Sequence, residues 1–443
     1  MIFPYGNGVQ RAFVGWGSMA NCRDLFQDNN FKLLLFAIIL VTGTGLWLKY
    51  LTLWFSQPDA LFYDFKIYYN GAEAFLHGKN MCLDTIYDYL PFPIVFFIGF
   101  ALFSFPVACL LFSVFNLILL FLMVYFMERI LLHYGIALNN PERIGIFLAL
   151  IFFVPTAHNF VAGQINIFLA LLITLTYYEL FIKRNGTGAA WFLSLATILK
   201  IWPVILYFLN PLYSRIRGFF FKFCLFLGSI LLFSIILFGF PLHADCIGRI
   251  EDYYVRWDIP DFDFFHPVLQ RWPDNIVGIF IALRKILHVF NANDLYPLLS
   301  VIWTGLEVVA FFCVLLYLYI RRPDPRQPLS PSAEILGYSV LIGMFLVFFK
   351  MVEGYYAIML FLPLLLIVYV LQTNVLEKVL LISSVFCFCI RPYVEFIGRI
   401  IGGPIQSMVY IVNPAMIGFC LFFILAIYMM ERRPYSLSTE TIA

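Results

Sequence analysis

The segment Phe62-Tyr63-Asp64-Phe65-Lys66-Ile67-Tyr68-Tyr69-Asn70-Gly71-Ala72-Glu73-Ala74-Phe75-Leu76-His77-Gly78 carries the first side chain suited to acid–base chemistry. Phe65, Tyr68, Tyr69, Ala72 and Phe75 recur at three- and four-residue spacing. They predict a helix from Asp64 to His77 that lies against the bilayer interface and stops at Gly78. Asp64 then stands at or near the helix N-terminus. It has two uses there: an ordinary N-cap, or a carboxylate held at the membrane surface as a general base.

Lys200, in Lys200-Ile201-Trp202-Pro203, falls inside an apolar stretch. A Lys at mid-span costs about 2.5 to 3.5 kcal/mol on insertion scales, so its ammonium must face protein, water or an anion. Snorkelling or a pair with Glu179 or Glu307 is the plain structural alternative. Lys350, Arg391 and Arg271 are further cations at span edges that could bind phosphate, and Lys350 with Glu353, three residues apart, could instead form a helix-end ion pair. Gln164 and Asn166 can hydrogen-bond a sugar or hold helices together. The stretch Trp257-Asp258-Ile259-Pro260-Asp261-Phe262-Asp263-Phe264-Phe265-His266 combines carboxylates for hydroxyl groups with aromatics for sugar faces, or is a solvated interfacial loop.

The elements that must position these groups are membrane spans. The 443 residues are 63% hydrophobic and only 12% charged, which excludes a soluble globule. Apolar blocks bounded by charge, Pro or Gly predict an all-α polytopic membrane protein. The predicted spans are 33–55, 90–105, 107–127, 144–157, 164–182, 189–209, 219–240, 297–320, 333–349, 354–371, 376–391 and 406–430. Those at 90–105 and 144–157 are short, so one or two segments could be re-entrant and the count is ten to twelve. Around the transmembrane domain 33–430, residues 1–32 are expected to form a cytoplasmic segment leading into a retained signal anchor, and 431–443 a cytoplasmic tail. No internal repeat is evident, which weighs against the common transporter folds.

Alternation of the spans puts Arg215, Arg217, Lys222, Arg321, Arg322, Arg326, Arg432 and Arg433 on the cytoplasmic side, as the positive-inside rule prefers. Loops 56–89 and 241–296 fall outside, and they hold five and eight of the 26 acidic residues. Lys183 and Arg184 break the pattern, since the same alternation leaves them outside. The near-balance of 28 basic and 26 acidic residues argues against a nucleic-acid partner. None of the nine Cys forms a paired CxxC metal pattern, and the six His form no HxxxH or HExxH. Cys82 and Cys246 lie in loops on one side, where they could pair or remain two free thiols.

Asp64-Phe65 with Tyr68-Tyr69 and Ala72 is followed by Tyr89-Leu90-Pro91-Phe92-Pro93, Gly163-Gln164-Ile165-Asn166, Lys200-Ile201-Trp202-Pro203, Asn275-Ile276-Val277-Gly278 and the stretch Lys350 to Tyr356. This order, over residues 60 to 370, resembles the GT-C superfamily of membrane glycosyltransferases. Within it, the order is similar to that of the polyprenyl-phosphate-mannose-dependent mannosyltransferases of glycosyltransferase family 87. The family often places a His in the late outside element; here Lys350-Met351-Val352-Glu353-Gly354-Tyr355-Tyr356 stands there, so no His role carries over.

The resemblance implies a multi-pass protein of the cell membrane whose active site faces outside, with Asp64 as catalytic base. It implies a polyprenyl-phosphate sugar as donor, mannose first, and a glycan or glycolipid as acceptor. Lys200, Lys350 and Arg391 become candidates for the donor phosphate, and Tyr68, Tyr69, Gln164, Asn166, Asn275, Glu353 and Tyr356 for the sugar or acceptor. A phosphate leaves without a general acid, so the reaction needs one base, one cationic clamp and a groove open to lipid. Direct displacement with a single base implies inversion at the anomeric carbon. No cofactor is expected; Asp261-x-Asp263 could hold a divalent ion, as in enzymes using nucleotide sugars, but those donors are cytoplasmic. A transporter or lipid-carrier flippase, with Asp64, Lys200, Glu179 and Glu307 along its path, is the competing class.

Overall fold

The computed structural model describes residues 28–56, 61–87, 89–258, 279–290, 292–322, 330–349, 352, 354–401 and 413–433, without the side chains of 28, 251–258, 288–289, 293, 391–392 and 395–401. Every regular element among them is helical. The α-helices in chain order are α1 (Asp28–Ser56), α2 (Tyr63–Leu76), α3 (Ile94–Ala101), α4 (Phe105–His133), α5 (Asn140–Phe152), α6 (Val154–Ala162), α7 (Asn166–Tyr177) and α8 (Gly186–Leu199). They continue as α9 (Phe219–Phe238), α10 (Phe240–Asp258), α11 (Ile279–Val289), α12 (Tyr296–Ile320), α13 (Pro331–Phe348), α14 (Phe361–Val370), α15 (Val375–Ile401) and α16 (Pro414–Arg432). Among the described residues six helices are long and apolar enough to cross a membrane, or seven if α5 and α6, bent by 54°, form one broken span. The chain is an all-α polytopic membrane protein.

The break between α5 and α6 has a local cause. Pro155 has no N–H to offer the carbonyl of Ile151, one turn back, so the helix cannot run straight through. The Trp47 indole of α1 donates to that carbonyl instead, at 3.2 Å. At the start of α5, Asn139 and Glu142 form a reciprocal capping box, which fixes where the helix begins.

Two predicted spans differ from the structure, and together they remove the strain in the charge pattern. The span expected at 90–105 is only the eight-residue α3, about 12 Å long and too short to cross. The span expected at 189–209 is a hairpin: α8 runs to Lys200, and a 3-10 turn (Trp202–Phe208) with a π turn (Asn210–Ser214) returns. Lys183 and Arg184 therefore join the other basic residues. Arg184 pairs with Glu334 at 2.8 Å, Lys222 Nζ donates to Thr187 at 2.8 Å, Arg143 pairs with Glu128 at 2.7 Å, Arg321 pairs with Glu431, and Arg433 and Arg432 approach Glu377. All lie at the end of the bundle remote from Asp64. Tyr134, just past α4, ties this end together by contacting the Tyr177 hydroxyl at 2.7 Å and donating to Glu334 at 2.9 Å. Burial above all, then the Glu334 carboxylate, holds the Tyr134 phenol well above its ordinary range, so it stays a donor.

At the Asp64 end, α2 covers nearly the expected residues, and Gly78 follows in the left-handed region at φ +68°. Its apolar face does not lie on lipid, however. Phe65, Tyr68, Tyr69 and Ala72 are buried in protein, because α3, too short to cross, folds back over them. Phe65 stacks on Phe112 at 4.6 Å, and Tyr68 on Phe97 at 4.3 Å. The two long loops of the sequence reading are partly helical, as α2 and as α10 with α11. Cys82 and Cys246 form a disulfide between them, with Cα atoms 5.1 Å apart, and Asn80 Nδ2 donates to Asp245 beside it at 2.7 Å.

Candidate active site

Asp64 occupies the first turn of α2 but is not its N-cap. That place is taken by Phe62, in the left-handed region at φ 58°, whose N–H donates to the carbonyl of Val161 at 2.7 Å. The cap thus pins α2 to the end of α6. Gly163, at φ +71°, turns the chain there, and a Cβ on it would overlap the Cβ of Phe65. The tight turn leaves the next residue, Gln164, facing Asp64.

Gln164 Nε2 donates to Asp64 Oδ2 at 2.6 Å and to the Tyr355 hydroxyl at 2.9 Å. Asp64 is 8% exposed and Gln164 1%, so the bond to the carboxylate is made largely out of water, where it is strong. Tyr355 is held in turn: Asn159 Nδ2 donates to its carbonyl at 2.9 Å. Asn159 Oδ1, Gln164 Oε1, Thr156 Oγ1 and both amide atoms of Asn166 are buried with no partner among the described residues. Buried polar atoms of this kind suit a polar ligand or ordered water.

Lys200 ends α8 in an extended conformation, φ −148° and ψ 130°. Pro203 in the following turn cannot donate to the Leu199 carbonyl, so the α-helix stops there. The ammonium donates to the Tyr356 hydroxyl at 2.7 Å and lies 4.5 Å from that ring's centroid and 5.9 Å from that of Tyr89. Glu179, one of the partners considered for it, accepts from Asn185 at the far end of α8. Trp202 stacks on Phe345 at 4.0 Å and closes the site on the α13 side.

Asp64 and Lys200 meet through one element. Tyr355 and Tyr356 are adjacent on the 3-10 turn Gly354–Leu360, their ring centroids 5.5 Å apart; one is bonded to Gln164 beside Asp64 and the other to Lys200. A carboxylate and an ammonium are thereby linked through two adjacent phenol rings. Between such groups a hydroxyl can lose a proton on one side while an oxyanion forms on the other.

Of the expected residues, Asp64, Gln164, Lys200 and Tyr356 come together. Tyr68 reaches the same wall by stacking on Tyr89 at 4.9 Å. Asn166 is fully buried at the start of α7, two residues past Gln164. Tyr69 is turned elsewhere, its hydroxyl donating to the Phe103 carbonyl at 2.8 Å. Burial, then the Glu73 carboxylate, raises the pKa of that phenol and keeps it a donor. Lys350, Glu353, Asn275, Arg271, Asp261 and Asp263 lie outside the described residues, as does the Arg391 side chain. Tyr355, Tyr63 and His158 were not expected in the site: His158 Nε2 is 3.5 Å from the Tyr63 hydroxyl, and its ring centroid is 5.8 Å from that of Tyr355. The double aromatic Tyr355-Tyr356 was the one signal in the sequence; a lone His158 gave none.

Residues 87–266 match the model of glycosyltransferase family 87, a region that contains Gln164, Asn166, Lys200 and Cys246 and begins after Asp64. No curated protein matches the chain. The motif order along the sequence and this match agree: the chain carries a glycosyltransferase family 87 region at residues 87–266, and that region indicates a membrane glycosyltransferase.

Proposed function

We propose that the protein transfers a sugar, mannose as first candidate, from a polyprenyl-phosphate donor to a glycan or glycolipid at the outer or lumenal face of the cell membrane. The observation that carries the reading is the pairing of Asp64 and Lys200 across adjacent tyrosines. Asp64 accepts the proton of the acceptor hydroxyl. The oxygen attacks the anomeric carbon as the bond to the phosphate oxygen breaks, and the polyprenyl phosphate leaves with its new charge beside Lys200 Nζ. Gln164 keeps the carboxylate in place, and Tyr356 fixes the ammonium. One displacement inverts the anomeric carbon.

Two features support the outward orientation. A disulfide between Cys82 and Cys246 belongs on an oxidising side of the membrane. The basic clusters at the opposite end fit the cytoplasmic side. Lys350 and Arg391 remain further candidates for the phosphate, with Asn275 and Glu353 for the sugars; Asp261 and Asp263 are candidates for a divalent ion if turnover proves to need one.

The test uses protein in nanodiscs with a panel of polyprenyl-phosphate sugars and a lipid extract as acceptor, following release of polyprenyl phosphate and the anomeric configuration of the product. Release with one donor and inversion of its sugar is the expected result. Retention of configuration would remove the single-displacement mechanism, and no release with any donor would remove the donor class.

A further inference from the structure

Asn159 lies in the last turn of α6, fully buried, and reaches both neighbours of Asp64. Its carbonyl accepts from the Gln164 backbone N–H at 3.0 Å, across the left-handed Gly163. Its Nδ2 donates to the Tyr355 carbonyl at 2.9 Å and to the Pro155 carbonyl, one turn back, at 2.8 Å. The Gln164 side chain closes the ring by donating to the Tyr355 hydroxyl at 2.9 Å. Asn159, Gln164 and Tyr355 are each at most 1% exposed, so this ring of hydrogen bonds is shielded from competing water.

The ring has one outlet. Gln164 Nε2 carries two hydrogens; one serves the ring, and the other goes to Asp64 Oδ2 at 2.6 Å. The direction of that second bond is therefore set from two sides, by the end of α6 and by the 3-10 turn Gly354–Leu360. The same turn carries Tyr356, whose hydroxyl accepts from Lys200 Nζ at 2.7 Å. Asn159 Nδ2 fastens the backbone of this turn to α6, and a shift of the turn would move both phenols at once. The commoner use of a buried amide is to hold helices together. Asn159 differs in that its two long-range partners are the residues that meet beside Asp64.

We propose that Asn159 is a positioning residue of the transfer: it seats the turn bearing Tyr355 and Tyr356 on α6 and so sets the spacing between the Asp64 carboxylate and the Lys200 ammonium. The inference rests on the reading of those two groups as base and phosphate clamp. In a single displacement the attacking and leaving oxygens lie on opposite sides of the anomeric carbon, so the two groups must keep one separation. A misplacement of about 1 Å can cost about 10²-fold in rate. Asn159 touches no substrate in this account and acts through Gln164 and Tyr355.

The test uses two variants of similar size in nanodiscs. Asn159→Leu removes the donor, and Asn159→Asp sets an acceptor against the two carbonyls. Turnover is read with geranylgeranyl phosphoryl mannose as donor and a lipid extract as acceptor, and hydrogen exchange is followed over residues 354–360. Each variant should lose about 10- to 100-fold in kcat with donor KM within threefold of wild type. Exchange at 354–360 should rise at least tenfold, with α9 and α12 unchanged. Combined with Gln164→Leu, the loss should fall at least threefold short of the product of the single losses, as for groups that act as one unit. Size-exclusion profile and Tm identify a variant that has merely lost its fold, and the other then carries the test. Full kcat in a folded variant, or losses that multiply without coupling to Gln164→Leu, would overturn the proposal. So would unchanged exchange at 354–360, whether or not the donor turns over. No turnover by wild type would instead count against the glycosyl-transfer reading.

Discussion

Gln164→Leu isolates the contact on which the proposed base, Asp64, would depend. Leu is near in volume but cannot donate, so the variant deletes the 2.6 Å bond to Asp64 Oδ2 and the 2.9 Å bond to the Tyr355 hydroxyl while leaving the carboxylate itself. A hydrogen bond to a charged group contributes about 1.5 to 3 kcal/mol, the upper part applying where the group is shielded from water, as Asp64 is. If that energy serves to orient the base, the loss corresponds to a fall in kcat of about 10- to 150-fold. The bond to Tyr355 is neutral, so Tyr355→Phe should cost only about 1 kcal/mol, or about fivefold. The assay is initial-rate release of polyprenyl phosphate in nanodiscs at saturating donor, with donor KM measured alongside. The expected order of damage is Asp64→Asn, then Gln164→Leu, then Tyr355→Phe, with donor KM little changed. A folded Gln164→Leu within twofold of wild type would refute the reasoning, because the amide would then be holding helices and not a catalytic group.

Lys200→Met should lower kcat by about 10²- to 10³-fold, as loss of one charge-stabilising donor does elsewhere, and Lys200→Arg should restore part of it because the charge remains. Gly163→Ala puts a Cβ into Phe65 and forces a left-handed residue that costs about 1 to 2 kcal/mol; thermal unfolding should show a lower Tm, and activity should fall through displacement of Gln164. Cys82→Ser should lower Tm by the loss of a cross-link worth about 2 to 5 kcal/mol, and Cys246 should then react with maleimide, as it should not in unreduced wild-type protein. Glu334→Gln leaves Arg184 without its buried carboxylate at the far end of the bundle, so it should reduce Tm and leave donor KM unchanged.

The all-helical membrane architecture was legible because apolar blocks of span length are a direct consequence of the bilayer's thickness. Helix α2 was legible from its 3/4 spacing, though not the partner of its apolar face. Periodicity marks a buried face without saying whether lipid or protein covers it, and here α3 does. Spans 90–105 and 189–209 misled because composition cannot distinguish one crossing from a short helix or from a hairpin broken at Lys200 and Pro203. The odd positions of Lys183 and Arg184 in the charge pattern were the visible trace of both. In the site, Asp64, Gln164, Lys200 and Tyr356 could be named because polar residues are conspicuous in an apolar sequence. His158 and Tyr355 enter through contacts between α6, α2 and the 3-10 turn at 354–360, a tertiary relation that spacing along the chain does not encode. The Cys82–Cys246 pair was left open for the same reason, since 164 residues separate the two.

The central claim is that Asp64 is the base of a transfer from a polyprenyl-phosphate sugar. Its most direct test is donor turnover by purified wild-type protein and Asp64→Asn, side by side in nanodiscs, with free polyprenyl phosphate followed by mass spectrometry. The account predicts release by wild type and a loss of at least 10³-fold in a variant of unchanged Tm; equal release by the two proteins would contradict it.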